Sequence, residues 1–191
     1  QCTLKQEILT ELLQRNKITS THRLDRLVEP VLGSDEQYGY MQRIRLQVKS
    51  PFAIGFNRFR SHEIIRVNTC LLAPSELNRC LSELSDSPAL ERIADHLKEI
   101  ELLRDPGSTS ICIILHLTRK PRAADRKTAA HLADETGKKI RVFLAGSGFA
   151  MEGPFCRNAD ADSILSMTIS EKPVLDLTWE AGGLCQVNHG Q

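Results

Sequence analysis

The chain has 191 residues, 41% of them hydrophobic and 26% charged, which are ordinary values for a folded domain and exclude a disordered tail, a collagen-like repeat and a coiled coil. Its 25 basic and 24 acidic residues leave a net charge of +1, so overall charge does not mark it as a nucleic-acid binder. No apolar run approaches the roughly 20 residues of a membrane helix and no signal peptide opens the chain, so a soluble, cytoplasmic protein with no membrane partner is expected.

Residues Thr3 to Lys17 carry Leu4, Ile8, Leu9, Leu12 and Leu13 at the spacing of one helical face, and the stretch from Thr19 to Gln37, with Pro30 and Gly33, reads as a connecting loop. From Tyr40 the period changes to two. Ile44, Leu46 and Val48 alternate with Arg43, Arg45 and Gln47, which predicts a half-buried strand over Met41 to Val48 with a basic outer face. The turn Lys49-Ser50-Pro51, a strand over Phe52 to Phe56 and a third over Glu63 to Val67 complete an antiparallel meander. Pro74 opens a helix to about Leu84, and Ser87-Pro88 opens another that is expected to run to about Leu103.

Asp105-Pro106-Gly107 is a turn, followed by a β-branched central strand over Ser110 to Leu117, a helix from Arg122 to Thr136 closed by Gly137, and a strand over Lys139 to Leu144. Strand, helix and strand in that order predict a split βαβ unit, and Ile164 to Ile169 with Val174 to Trp179 add a closing hairpin. The expected fold class is α+β, a mainly antiparallel sheet with flanking helices. The domain organisation is read as an N-terminal helix and loop (1–37), a central α+β domain (38–180) and the start of a further domain (181–191).

Phosphate loops, H-E-x-x-H, G-x-S-x-G and C-x-x-C are all missing, Gly146-Ser147-Gly148 is too short for a dinucleotide fingerprint, and the six cysteines and six histidines do not cluster. Charge is uneven, however. Tyr38 to Cys70 holds six basic residues against one acidic and Arg119 to Arg141 holds eight against three, whereas Leu71 to Arg104 is net acidic. These arginines suit either ordinary solvated strand and helix faces or a nucleic-acid surface.

Four motifs in chain order decide further. Tyr40-Met41-Gln42-Arg43-Ile44-Arg45-Leu46 resembles the Y-x-x-R-x-R-L strand of the RNA uracil-5-methyltransferase family. Gly55-Phe56 with Ser61-His62-Glu63-Ile64-Ile65 resembles its G-F-x-x-x-x-S-x-x-I-V segment, Cys70 the cysteine just after it, and Leu184-Cys185-Gln186-Val187-Asn188 its F-x-Q-V-N motif, with Leu184 in place of the aromatic. Each is weak alone, but their order and spacing agree along nearly the whole chain, and the first helix fits the segment after the family's cysteine cluster.

The resemblance implies an S-adenosylmethionine-dependent enzyme that methylates carbon 5 of a uridine, after taking the base out of its stack. The length of the central domain points to the 23S ribosomal RNA branch rather than the transfer RNA one. A non-catalytic RNA-binding module or a degenerate paralogue is the alternative. By the same resemblance Tyr40, Arg43, Arg45, Arg58, Arg60, Ser61 and Asn188 would contact RNA in a single-stranded or loop context, with Arg43 and Arg45 about 6 to 7 Å apart on one strand face. Gln186 would contact S-adenosylmethionine or the target base. Cys70 would be the fourth ligand of a 4Fe-4S cluster, or else a buried structural thiol. The family's other three ligands precede the helix, Cys2 lies too close to that helix to be assigned to them, and the methyltransferase domain follows the Q-V-N motif. The expectation is therefore a monomeric piece that carries neither cluster nor cofactor and is not catalytic alone.

Overall fold

A computed structural model describes residues 2–18, 27–31, 33, 36–108, 110–137, 139–157, 162–170 and 173–183. The chain divides into two compact units, one of residues Gln1–Gln37 with Gly190–Gln191 and one of Tyr38–His189. In the first, helix α1 (Cys2–Arg15) forms where the apolar spacing predicts it, with an ion pair from Glu11 to Arg15 one turn apart. Leu4, Ile8, Leu9 and Leu12 remain exposed along its apolar stripe.

The second unit is built on a seven-stranded sheet in the order β3-β2-β1-β4-β5-β6-β7. Its strands are β1 (Arg43–Lys49), β2 (Ala53–Asn57), β3 (Ile64–Arg66), β4 (Leu97–Arg104), β5 (Ile111–Leu117), β6 (Ile140–Gly146) and β7 (Glu152–Phe155). Every pairing is antiparallel except β5 with β6, which run parallel because helix α4 (Ala123–Thr136) crosses between them. Strands β8 (Ile164–Ile169) and β9 (Leu175–Glu180) form a separate antiparallel hairpin. The α+β class, the meander and the strand-helix-strand order are as the sequence predicts, but β5 and β6 pair directly with no strand between them, so the βαβ unit is not the split one expected.

The pleat sorts side chains to two faces. On one, Ile44, Leu46, Ile100, Leu102, Ile113, Leu115, Val142 and Leu144 pack against helices α2 (Ser75–Ser85), α3 (Pro88–Glu91) and α4. On the other, Leu103, Cys112, Ile114 and Phe143 pack against Leu165 and Ala181, with Trp179 beside them, so the hairpin covers the centre of the sheet. Burial on both faces explains why β5 reads as a continuous apolar run rather than an alternating one. Arg141, almost fully buried, clasps the hairpin to the sheet: it donates to the carbonyls of Asp162 (3.1 Å) and Ile164 (2.7 Å) and pairs with Asp105 at 3.2 Å.

One expected element is overturned. The helix read from Ser87 to Leu103 is in fact α3, a 3-10 turn over Ala94–His96, and the central strand β4. An irregularity in the β4 register between Leu97 and Glu99 puts Leu97, Ile100 and Leu102 into the same core cluster, so the apolar positions Leu97 and Ile100 fall at helical spacing although both lie on an extended strand. The sequence predicts no element at β7. That strand contains Gly153 and Pro154, which suit an edge strand only, and an edge is where it lies. Among the described residues no helix is long and apolar enough to cross a membrane.

Candidate nucleic-acid interface

Arg43, Arg45 and Gln47 alternate with the core residues of β1, and the antiparallel register sets them opposite Leu103, Glu101 and Glu99 of β4. Glu101 is fully buried and stands between the two arginines. Arg43 Nε lies 2.6 Å from its Oε1, Arg45 donates to its Oε2 from Nη2 (2.7 Å) and Nε (3.2 Å), and His116 Nε2 of β5 is 3.4 Å from the same oxygen. Burial pushes the Glu101 carboxyl up, but the hydrogen bonds from His116 and Arg45 and the charge of Arg43 outweigh it and hold the group at about 2. Gln47 donates to Glu99 (2.9 Å), which also lies 4.0 Å from Arg45. Two guanidiniums thus face two carboxylates, and the stripe is nearly neutral. The Arg43 side chain is only 17% exposed and donates to the carbonyl of Gly183 (3.0 Å), whereas that of Arg45 is 49% exposed and keeps an edge open to solvent.

The second group lies at the β2–β3 turn. Arg58 pairs with Glu63 at 2.7 Å, the Ser61 N–H donates to the Arg58 carbonyl (3.0 Å), and the Glu63 N–H donates to the Ser61 hydroxyl (3.0 Å), so the turn is fastened across its base. Arg60 holds a left-handed backbone, φ 54°, and its guanidinium sits 5.0 Å from the centroid of the Phe59 ring. The adjoining Gly55 is required by a close approach: a Cβ there would lie 1.9 Å from the Ile65 carbonyl oxygen.

Tyr40 is half-buried between Gly39 and Met41, whose N–H groups donate to the carbonyls of Leu71 (3.0 Å) and Leu72 (2.7 Å), so the segment before β1 runs beside the residues that follow Cys70. Cys70 is half-buried against the core and is gripped by Asn78, which accepts from its N–H (2.7 Å) and donates to its carbonyl (3.1 Å). Among the described residues no three cysteine, histidine or acidic side chains come together as a metal site. Cys70 alone does not fit a 4Fe-4S cluster, which takes its ligands as a set. Gln186 and Asn188 lie outside the described residues.

Three arginines of the second basic segment are engaged in ion pairs: Arg119 with Asp125 (2.6 Å), Arg126 with Glu152 (2.7 Å) and Arg141 with Asp105. That leaves Arg45, Arg58 and Arg60 as the sequence-predicted arginines with substantial exposure. Glu101, Glu99, His116 and Phe59 were not predicted from sequence. The first two were hidden by the helix expected in place of β4, and an aromatic between two arginines in a turn was the available signal for Phe59.

Two of the cysteines are poor nucleophiles. Burial pushes the Cys80 thiol up to about 12 and that of Cys112 to about 11, far from the thiolate form that attacks.

No protein-family model matches the chain. It is 26% identical over 145 residues to the 23S rRNA (uracil(1939)-C(5))-methyltransferase RlmD of Salmonella typhi, a match covering 74% of this chain and 33% of that protein. RlmD of Salmonella choleraesuis matches with the same identity and coverage. The chain therefore spans about a third of the length of the curated relatives it matches. Among solved structures, it is similar to the Pyrococcus abyssi tRNA (uracil-54, C5)-methyltransferase in complex with S-adenosyl-L-homocysteine, with a TM-score of 0.56 and 10% identity over 81% of this chain and 39% of that one. The latter likeness is one of fold. The sequence likeness is thus to a part of 23S rRNA (uracil(1939)-C(5))-methyltransferases.

Proposed function

We propose that the chain is the RNA-binding portion of an S-adenosylmethionine-dependent 23S rRNA (uracil-5-)-methyltransferase. The observation that carries this reading is the 145-residue likeness to the RlmD enzymes. Arg45, Arg58 and Arg60 give it a surface, since exposed guanidiniums offer planar donors to phosphate and stack on unpaired bases. In this reading Arg45, Arg58 and Arg60 contact the backbone of a looped RNA, and Tyr40 and Ser61 supply polar contacts beside them. Arg43 contributes mainly by fixing Glu101 and the Gly183 carbonyl, and Gln186, three positions after Gly183 in sequence, is the proposed contact to S-adenosylmethionine or the target base. Cys70 serves a cluster only where three further ligands join it. In this reading the chain contributes RNA binding rather than the methyl-transfer step itself.

Binding to a labelled single-stranded ribosomal RNA fragment, measured across a salt series, tests the reading. Each phosphate contact adds about 0.7 to the log-log salt slope, so replacing Arg45, Arg58 and Arg60 with alanine should lower it by about 2. Binding that is absent at low salt, or indifferent to salt, would overturn the proposal.

A further inference from the structure

Phe59 is 84% exposed, above every other large hydrophobic side chain described, and it is not loosely held. The turn beneath it is closed by the Arg58–Glu63 ion pair and by the backbone bonds of Ser61 and Glu63. Arg60 adopts a left-handed conformation, which is unfavourable for a non-glycine residue, and its guanidinium lies over the Phe59 ring. A large apolar ring held in water, in a strained turn with a cation against it, is a feature that folding alone does not favour.

We infer that Phe59 is a stacking platform for one unpaired base of an RNA strand, with Arg60 on one side of the ring and the flanking phosphates taken by Arg58 and Arg60. The inference rests on the RNA-binding reading above and specifies its contact chemistry. Charge complementarity selects the occupant: Arg58 and Arg60 against the single carboxylate of Glu63 leave the tip net positive, and an aromatic ring with a cation against it matches a strand that alternates flat bases with phosphates. The rigid turn keeps the ordering cost low. Sequence selectivity is not expected of it, because every base has a π-face.

The test uses the 191-residue chain with Phe59→Ala, Phe59→Leu and Phe59→Trp. Each is titrated with a fluorescein-labelled single-stranded oligouridylate and with a duplex RNA of the same length. Loss of one base stack should weaken single-strand binding by about 5- to 150-fold in the alanine variant, with duplex binding little changed. Leucine, which keeps apolar bulk without a π-face, should fail as alanine does. Tryptophan should restore binding, and the emission of its new exposed indole should be quenched by the oligouridylate. Because the side chain is so exposed, thermal unfolding should be the same for all four proteins.

Unchanged affinity in the alanine variant, with normal salt-dependent binding by the parent chain, overturns the stacking role and leaves the RNA reading standing; a tip that docks protein instead gives this result. Rescue by leucine, or equal losses on single strand and duplex, also overturns it. Failure of the parent chain to bind either RNA removes both.

Discussion

Replacing Glu101 with glutamine keeps the shape of the buried side chain and removes its charge. In the native protein that carboxylate is fully buried, held by Arg43 at 2.6 Å, Arg45 at 2.7 Å and His116 at 3.4 Å, and its ionisation is shifted from the ordinary 4.5 to about 2. A shift of that size is worth about 3 kcal/mol of stability at neutral pH. In the variant Arg43, only 17% exposed, keeps the Gly183 carbonyl as an acceptor, and Arg45 can turn toward Glu99 at 4.0 Å. The loss should therefore stay near about 3 kcal/mol rather than reach the upper values seen when a buried ion pair is broken. Because the folded ionisation is depressed, this stability is fully present above 4.5 and disappears as pH falls toward about 2. Urea unfolding of parent and variant at neutral pH should differ by about 3 kcal/mol, and the gap should close over that acid window. A gap below about 1 kcal/mol at neutral pH, or one that persists unchanged at the acid end, would refute the assignment of Glu101 as the ionised centre of the network.

Gly55→Ala must push β3 away from a Cβ that would otherwise lie 1.9 Å from the Ile65 carbonyl, so urea unfolding should show a loss of about 2 kcal/mol or more. Asp125 is buried, accepts from the Arg122 N–H (2.6 Å) at the start of α4 and pairs with Arg119 (2.6 Å). Asp125→Ala should cost about 3 kcal/mol and Asp125→Asn, which retains an acceptor for the cap, visibly less. Although burial raises the Asp125 carboxyl, the Arg119 and Arg122 hydrogen bonds lower it on balance, so the stability it lends should fall as pH drops below the ordinary carboxylate range. Anaerobic incubation of the chain with iron and sulfide should yield no stoichiometric iron and no iron–sulfur absorbance, and a bound cluster would show that other ligands of the chain join Cys70.

The meander β1–β3, the helix α2 and the unit β5–α4–β6 were legible because each has one dominant period: alternation where one face is buried, i and i+4 spacing in the helices, and a continuous apolar run where both faces are covered. Strand β4 fails that condition. It contributes to both core clusters and to the polar stripe, and its register irregularity resets the alternation, so local pattern favoured a helix where tertiary pairing imposed a strand.

That single misreading carried over to the site. Taken alone, Arg43 and Arg45 on the polar side of β1 look like two free cations facing solvent, spaced for successive phosphates. Antiparallel pairing places Glu101 directly across from Arg45, a relation that separates the two residues by 56 positions and that no local window contains. The consequence is a division of labour within one motif. Arg43 is absorbed into the fold, joining β1 to β4 and to the Gly183 carbonyl, while Arg45 keeps an exposed edge. By contrast, the tip from Arg58 to Glu63 is held entirely by contacts within six residues, so its chemistry can be read without knowing which strands pair. In the proposed reading, the positive charge offered to an RNA strand lies mainly where local sequence dictates geometry, at Arg58 and Arg60 around Phe59, and the buried arginine-carboxylate network serves to hold the sheet from which that tip projects.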